Sequence, residues 1–165
     1  MKAAIIYYSL EGNTELIANM ISKRTGAELI KLTPKKEIAK DGFKKFFWGG
    51  KSVIFKEKPE LLNHNIQLKN YDTLIIGTPI WAGSFAPPLL SFLSSYEIKG
   101  KKLHLYACNS GGETQKCFRK LEDKLMDNTI ISTAGFQDPT KLEMKKLEKL
   151  VDAFCEKIKE GSQGV

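Results

Sequence analysis

The chain has 165 residues, 42% of them hydrophobic and 27% charged, and a formal net charge of +7 at pH 7. That length can bury the core of one domain, and no apolar run approaches the roughly 20 residues of a bilayer-spanning helix. The opening run Met1–Ile6 passes at once into Tyr7-Tyr8-Ser9 and a charged helix without a cleavage-like site, so a cytoplasmic protein with no membrane association is expected.

The lysines are dispersed. In Lys141–Glu160 they alternate with carboxylates around an apolar stripe, which describes a solvated helix face rather than a nucleic-acid-binding stripe. The excess positive charge favours encounter with acidic partners. Cys108, Cys117 and Cys155 are an odd set without paired spacing, and His64 and His104 stand far apart. Neither a disulfide framework nor a metal site is expected, and the thiols read as small core hydrophobes.

In chain order, a first strand is expected over Lys2–Tyr8. A small polar turn, Ser9-Leu10-Glu11-Gly12-Asn13-Thr14, leads into a helix over Thr14–Arg24 that places Leu16, Ile17, Met20 and Ile21 on one face. A second strand covers Glu28–Leu32. The region from Thr33 to Asn70 is irregular and contains an aromatic, basic segment at 41–58 with Phe43, Phe46, Phe47, Trp48 and Phe55. It reads either as a short helix and hairpin capping the core, or as a lid or partner surface beside a ligand. A third strand, Thr73–Gly77, precedes the loop Thr78–Ser84 and a helix over Pro88–Tyr96. The fourth strand, Leu103–Cys108, runs into Asn109-Ser110-Gly111-Gly112 and a helix over Glu113–Met126. The fifth strand is Thr129–Ala134. The last helix starts near Lys141, with Thr140 and Glu143 as a capping box, and ends at Gly161. Five mostly continuous apolar strands alternating with helices predict a single α/β domain over 1–165 around a parallel sheet.

Ligands of open parallel sheets bind beyond the carboxyl ends of the strands. Three loops converge there. The first offers the hydroxyls of Ser9 and Thr14, the Asn13 amide and the N–H groups of a helix start, with Gly12 permitting close approach, a set suited to phosphate. It lacks the lysine of a Walker A loop and the further glycines of the dinucleotide fingerprint. The second carries Pro79 and Trp81, with Trp81 expected to present its π-face from a short polar loop to a flat heteroaromatic. The third has so little bulk that its backbone can reach a ring edge. A hydrolase built on Ser110 or Cys108 is disfavoured, since there is no G-x-S-x-G elbow and no suitably placed histidine.

The segments Tyr7–Thr14, Gly77–Leu93 and Asn109–Gly112, in this order and at these separations, resemble the flavodoxin-like FMN-binding family across essentially the whole chain. That resemblance implies a three-layer sandwich with a five-stranded parallel sheet in the order 2-1-3-4-5. It implies that Ser9, Gly12, Asn13 and Thr14 hold the FMN phosphate, with Glu11 giving its backbone N–H. Pro79, Ile80, Trp81, Ala82 and Gly83 would line one side of the isoalloxazine, and Asn109, Ser110, Gly111 and Gly112 its other edge. The flavin would carry the chemistry, with no catalytic side chain. The expected role is electron transfer to a redox partner protein. The alternative is an oxidoreductase passing hydride from NAD(P)H to a small acceptor such as a quinone, with a non-redox phosphate-ligand-binding module as a distant third reading.

The chain departs from the family pattern in several places. Glu11 stands where a hydroxyl residue is common, Ala82 follows Trp81 where electron carriers often have glycine, and the third loop has no aromatic residue. Ala82 is expected to resist positive φ, which argues against strong stabilisation of a one-electron reduced flavin. The basic charge also departs from the family's often acidic carriers. At about 8 Å and an effective dielectric near 20, a carboxylate and a phosphate charge repel by roughly 2 kcal/mol. Several charge-assisted hydrogen bonds of about 1.5–3 kcal/mol each outweigh this, provided the Glu11 side chain points to solvent. Replacing Glu11 with Thr is therefore expected to preserve or tighten FMN binding in a fluorescence titration; a large loss would assign the carboxylate a role of its own.

Overall fold

The computed structural model describes residues 2–36, 58–111 and 113–163. Five parallel strands form the sheet: β1 (Ala3–Tyr7), β2 (Glu28–Lys31), β3 (Thr73–Trp81), β5 (Lys102–Asn109) and β6 (Thr129–Gln137). Their spatial order is β2-β1-β3-β5-β6, and the two-residue β4 (Ser84–Phe85) folds back antiparallel on the end of β3. With that hairpin strand set aside, the order is the expected 2-1-3-4-5.

Because side chains alternate across a strand, each buried strand feeds two cores. Ile6, Tyr8, Leu74, Ile76 and Leu105 face α2 (Pro87–Ser95) and α3 (Gln115–Lys124), meeting Leu89, Phe92, Phe118 and Leu121. Ile5, Tyr7, Ile75, Tyr106 and Phe136 face α1 (Asn13–Thr25) and α4 (Met144–Gln163), meeting Ile17, Ile21, Val151 and Phe154. An Arg24–Asp152 ion pair joins α1 to α4 at the surface. The three cysteines are buried and unbridged, and burial pushes the thiols of Cys108 and Cys117 up to about 12 and that of Cys155 up to about 11.

Several boundaries differ from expectation for physical reasons. β3 does not stop at Gly77: Pro79 remains in register with Cys108, and the strand continues to Trp81 because β4 pairs with its end. No capping box forms at α4. Thr140 is used elsewhere, donating its hydroxyl to Asn13 Oδ1 at 2.9 Å, and Glu143 O accepts from Leu147 N at the helix start. Nor does Gly161 end α4. It lies within the helix, where an added Cβ would come within 2.8 Å of Ile131, and its carbonyl accepts from Lys102 Nζ.

The ends of the irregular region are clamped together. Pro34 bridges Leu61, Lys35 N donates to Glu60 O, and Leu62 N donates to Thr33 O. Asn63 completes the clamp like a strand residue, accepting from Thr33 N and donating to Lys31 O. The expected helix and hairpin at 41–58 fall almost entirely outside the described residues.

His104, in the middle of β5, is fully buried, with Nδ1 2.7 Å from Ser132 Oγ and no hydrogen-bond partner for Nε2 among the described residues. Burial pushes its pKa down to about 4, so between that value and the ordinary 6.5 the unfolded chain takes up a proton that the fold refuses. This contribution to stability is intact above about pH 6.5 and is lost as pH falls toward 4. Urea denaturation across that range is expected to show a steeper acid loss for the wild type than for His104→Asn, which keeps a polar atom toward Ser132.

Candidate functional site

A cavity of about 720 Å³ opens at the carboxyl ends of β1, β3 and β5, beside the point where strand order reverses between β1 and β3. It gathers the three loops singled out in the sequence. Ser9, Glu11, Asn13 and Thr14 line it from the first, Pro79, Ile80, Trp81, Ala82 and Gly83 from the second, and Asn109, Ser110 and Gly111 from the third. Gly12 shapes the turn without lining the cavity, and Gly112 lies outside the described residues. Leu10, Cys108 and Glu113 also line it, and the sequence reading had not chosen them. Each adjoins a chosen residue, which is the one sequence signal they carried.

At the first loop, Gly12 takes φ 90°, a left-handed conformation that turns the chain from β1 into α1 without a side-chain cap. Its carbonyl accepts the first helical bond, from Leu16 N at 2.9 Å. The uncapped helix start presents backbone N–H groups and the positive end of its dipole. Beside it, Ser9 Oγ and Thr14 Oγ1 are buried without a hydrogen-bond partner among the described residues, although the Thr14 hydroxyl adjoins the Cys108 thiol. A buried hydroxyl left unpaired costs about 1–3 kcal/mol. Two of them at an uncapped helix start make a place for an acceptor. Asn13 is partly committed: Thr140 N donates to its Oδ1 at 3.1 Å, which fixes the amide orientation of this lining residue. Glu11 is exposed and forms no ion pair among the described residues, as its chemistry requires if an anion binds here.

The second loop overturns two expectations. Trp81 is not a bare ring on a polar loop. It is 3% exposed and packs edge-on against Tyr8, with centroids 5.8 Å apart, so it forms a cavity wall that belongs to the core. Ala82 adopts positive φ despite its strain relative to glycine: it sits at 46°, followed by Gly83 at 71°. The two-residue connection between Trp81 and its partner Ser84 demands this, because the right-handed twist of the strands selects a hairpin turn with both central residues left-handed. The sequence argument against that conformation therefore fails.

The third loop is tied to the start of the last crossover. Ser110 Oγ donates to Asp138 Oδ1 at 2.9 Å, Asp138 N donates to Asn109 O at 2.8 Å, and Asn109 Nδ2 donates to Glu113 O. The Ser110 hydroxyl is thus occupied, leaving backbone groups of this loop for a ligand. An added Cβ on Gly111 would meet nothing within 4 Å.

Tyr106 is the positioning residue that sequence reasoning missed. It lies directly opposite Gly77, where any Cβ would overlap its ring, and its hydroxyl donates to Thr14 O at 3.1 Å. The signal was the glycine inside an otherwise bulky, largely β-branched strand, which marks close approach.

A parallel sheet flanked by helices, with an anion-ready helix start and an aromatic-walled cavity at the strand-order reversal, defines the flavodoxin class of α/β proteins. A family model described as flavodoxin matches residues 2–153, and the chain belongs to that family. No curated protein matches it. Among solved structures it is similar to a protein from Bacteroides uniformis described as a flavoprotein (TM-score 0.78, 18% identity, covering 92% of this chain and 97% of that one). A flavoprotein in complex with FMN from Lactobacillus acidophilus is also similar (TM-score 0.66, 22% identity, 81% and 92% covered). So is a flavodoxin, WrbA-like protein from Agrobacterium tumefaciens (TM-score 0.64, 13% identity, 98% and 98% covered). These likenesses establish the fold.

Glycine at position 82 relieves a left-handed alanine, which costs about 1 kcal/mol. Ala82→Gly is expected to raise the free energy of unfolding by about that amount in urea. No gain would mean that the turn relaxes in solution.

Proposed function

We propose that the protein binds FMN in this cavity and acts in electron transfer. The observation that carries the reading is the pair of buried hydroxyls, Ser9 Oγ and Thr14 Oγ1, at the uncapped start of α1, which lack a hydrogen-bond partner meeting normal geometry among the described residues. They and the adjacent N–H groups would hold the phosphate, neutral donors directed at a dianion. Ile80, Trp81 and Pro79 give the apolar wall that a flat ring system needs, and the third loop contributes backbone donors and acceptors at its edge. When bound, FMN supplies reversible one- and two-electron chemistry at its ring. This chain's part is to grip the phosphate, exclude water from the walled side of the ring, and keep Glu11 turned outward.

The wider comparison agrees: the family is that of flavodoxins, and a similar protein was solved with FMN. Among the described residues lining the cavity, the carboxylates are Glu11 and Glu113, both exposed. Ala82 already adopts positive φ, so the turn after Trp81 gives no reason to prefer hydride transfer over single-electron transfer.

The purified protein is expected to be yellow or to become so on addition of FMN, and to oxidise NAD(P)H at no more than background rate. Ser9→Ala is expected to weaken FMN about fivefold to thirtyfold, corresponding to about 1–2 kcal/mol. Riboflavin, which lacks the phosphate, should bind the variant as it binds the wild type. A protein that stays colourless with FMN would overturn the reading, and brisk NAD(P)H-dependent quinone reduction would replace carrier with enzyme.

A further inference from the structure

β6 ends at Gln137 and α4 begins at Met144, and the connection between them grips two walls of the cavity without lining it. On one side, Asp138 Oδ1 accepts the Ser110 hydroxyl at 2.9 Å, and Asp138 N donates to Asn109 O at 2.8 Å. On the other, Thr140 donates to Asn13 Oδ1 from both its N–H, at 3.1 Å, and its hydroxyl, at 2.9 Å. Asn109 and Ser110 belong to the third loop, whereas Asn13 opens α1 beside the Ser9 and Thr14 hydroxyls. Pro139, buried and with its φ fixed by its ring, joins the two grips and leaves them little freedom to move apart.

Two local costs fall within Asp138-Pro139-Thr140. Asp138 holds φ 40° and ψ 55°, a left-handed conformation that glycine would adopt without strain. Thr140 has the spacing to Glu143 of a capping box for α4, yet its hydroxyl is given to Asn13. A turn whose one task was to join β6 to α4 would favour glycine at 138 and the cap at 140. In each case the sequence keeps a hydrogen bond to a cavity-lining residue instead. Backbone strain held in place by surrounding contacts is a recurrent sign of a functional constraint. The Lys141 ammonium, 3.5 Å from Asp138 Oδ1, does not account for the carboxylate, since the lysine is exposed and such pairs contribute little.

We propose that Asp138 and Thr140 are positioning residues for the FMN site, a role that rests on the FMN reading and deepens it. Asp138 holds the third loop through Ser110 and Asn109, and Thr140 holds the Asn13 amide at the phosphate end. The two grips act on different ends of the cavity, so they carry different signatures. Loss of the Thr140 hydroxyl loosens a group at the anion end and leaves the surroundings of the ring intact. Loss of the Asp138 carboxylate frees the loop at the ring edge, which changes those surroundings as well as the affinity.

The full-length protein is titrated with FMN by flavin fluorescence, and visible circular dichroism of the saturated protein reports the surroundings of the ring. Thr140→Val keeps the shape and removes the hydroxyl. It is expected to bind FMN about threefold to tenfold more weakly, with an unchanged dichroism spectrum. Asp138→Gly, which removes the acceptor without backbone strain, is expected to lose affinity by a similar factor and to alter the spectrum. Thr140→Ser and Asp138→Asn keep the oxygen that makes each contact, and both should bind within about twofold of the wild type. Ser110→Ala removes the Asp138 hydrogen bond from its other end. It should reproduce the Asp138→Gly result, with no further loss when the two changes are combined, and it serves alone if Asp138→Gly folds poorly.

Each residue's assignment stands or falls on its own variants. Wild-type affinity in Thr140→Val would overturn the role of Thr140, and wild-type affinity and spectrum in Asp138→Gly and Ser110→Ala would overturn that of Asp138. Losses as large in Thr140→Ser and Asp138→Asn would also overturn them, since the retained oxygens would then be irrelevant. A lowered urea midpoint of the flavin-free variants, with FMN affinity and spectrum unchanged, would make the turn merely structural. Wild-type FMN uptake is measured first. Failure there would overturn the functional reading, whereas uptake with variants indistinguishable from the wild type would overturn only the two positioning roles.

Discussion

The contact on which the site depends is that of Tyr106 with Gly77 and Thr14. Register pairs Gly77 with Tyr106 across two central strands, and the missing side chain at Gly77 lets the ring lie over the β3 backbone. From there the Tyr106 hydroxyl donates to Thr14 O in the first turn of α1. One buried ring thereby fixes a helix start relative to the sheet. Its hydroxyl lies in a fully desolvated setting that raises its pKa well above 10, so it remains a neutral donor at all physiological pH values. The position of the Ser9 and Thr14 hydroxyls, and hence of any anion between them, follows from that anchor.

Around the anchor the cavity separates its tasks physically. The anion end is built from hydroxyls, backbone N–H groups and a helix dipole, with no lysine or arginine among the described residues that line it. Neutral donors can satisfy an anion without the desolvation cost of a buried cation. The apolar end takes its wall from Trp81, a side chain that also belongs to the core, so rigidity there is inherited from packing with Tyr8. Among the described residues, lysine and arginine lie outside the cavity lining, where their charge can act at longer range.

Local rules are broken in a small area. Ala82 is held in a left-handed conformation at the hairpin side of the cavity. Natural sequences tolerate such conflicts mainly where function requires them. The hairpin turn that demands positive φ also brings Gly83 under Lys116.

The sequence by itself determined the parallel α/β architecture, because continuous apolar strands alternating with amphipathic helices have few other ways to bury their surfaces. It also determined which three loops meet, since each follows a strand and parallel strands share one carboxyl edge. Tertiary structure decided what each side chain does there. The capping pattern at Thr140 was legible but misleading, because Asn13, more than a hundred residues away, competes for that hydroxyl. Trp81 read as a loop platform because no local signal announces that β4 folds back and buries it. Tyr106 was invisible as a site residue, since its role exists only through the register of β5 on β3 and the absent side chain of Gly77. Period and composition act over a few residues and so can be read along the chain, whereas hydrogen-bond partners and burial are settled by segments that only the folded sheet brings together.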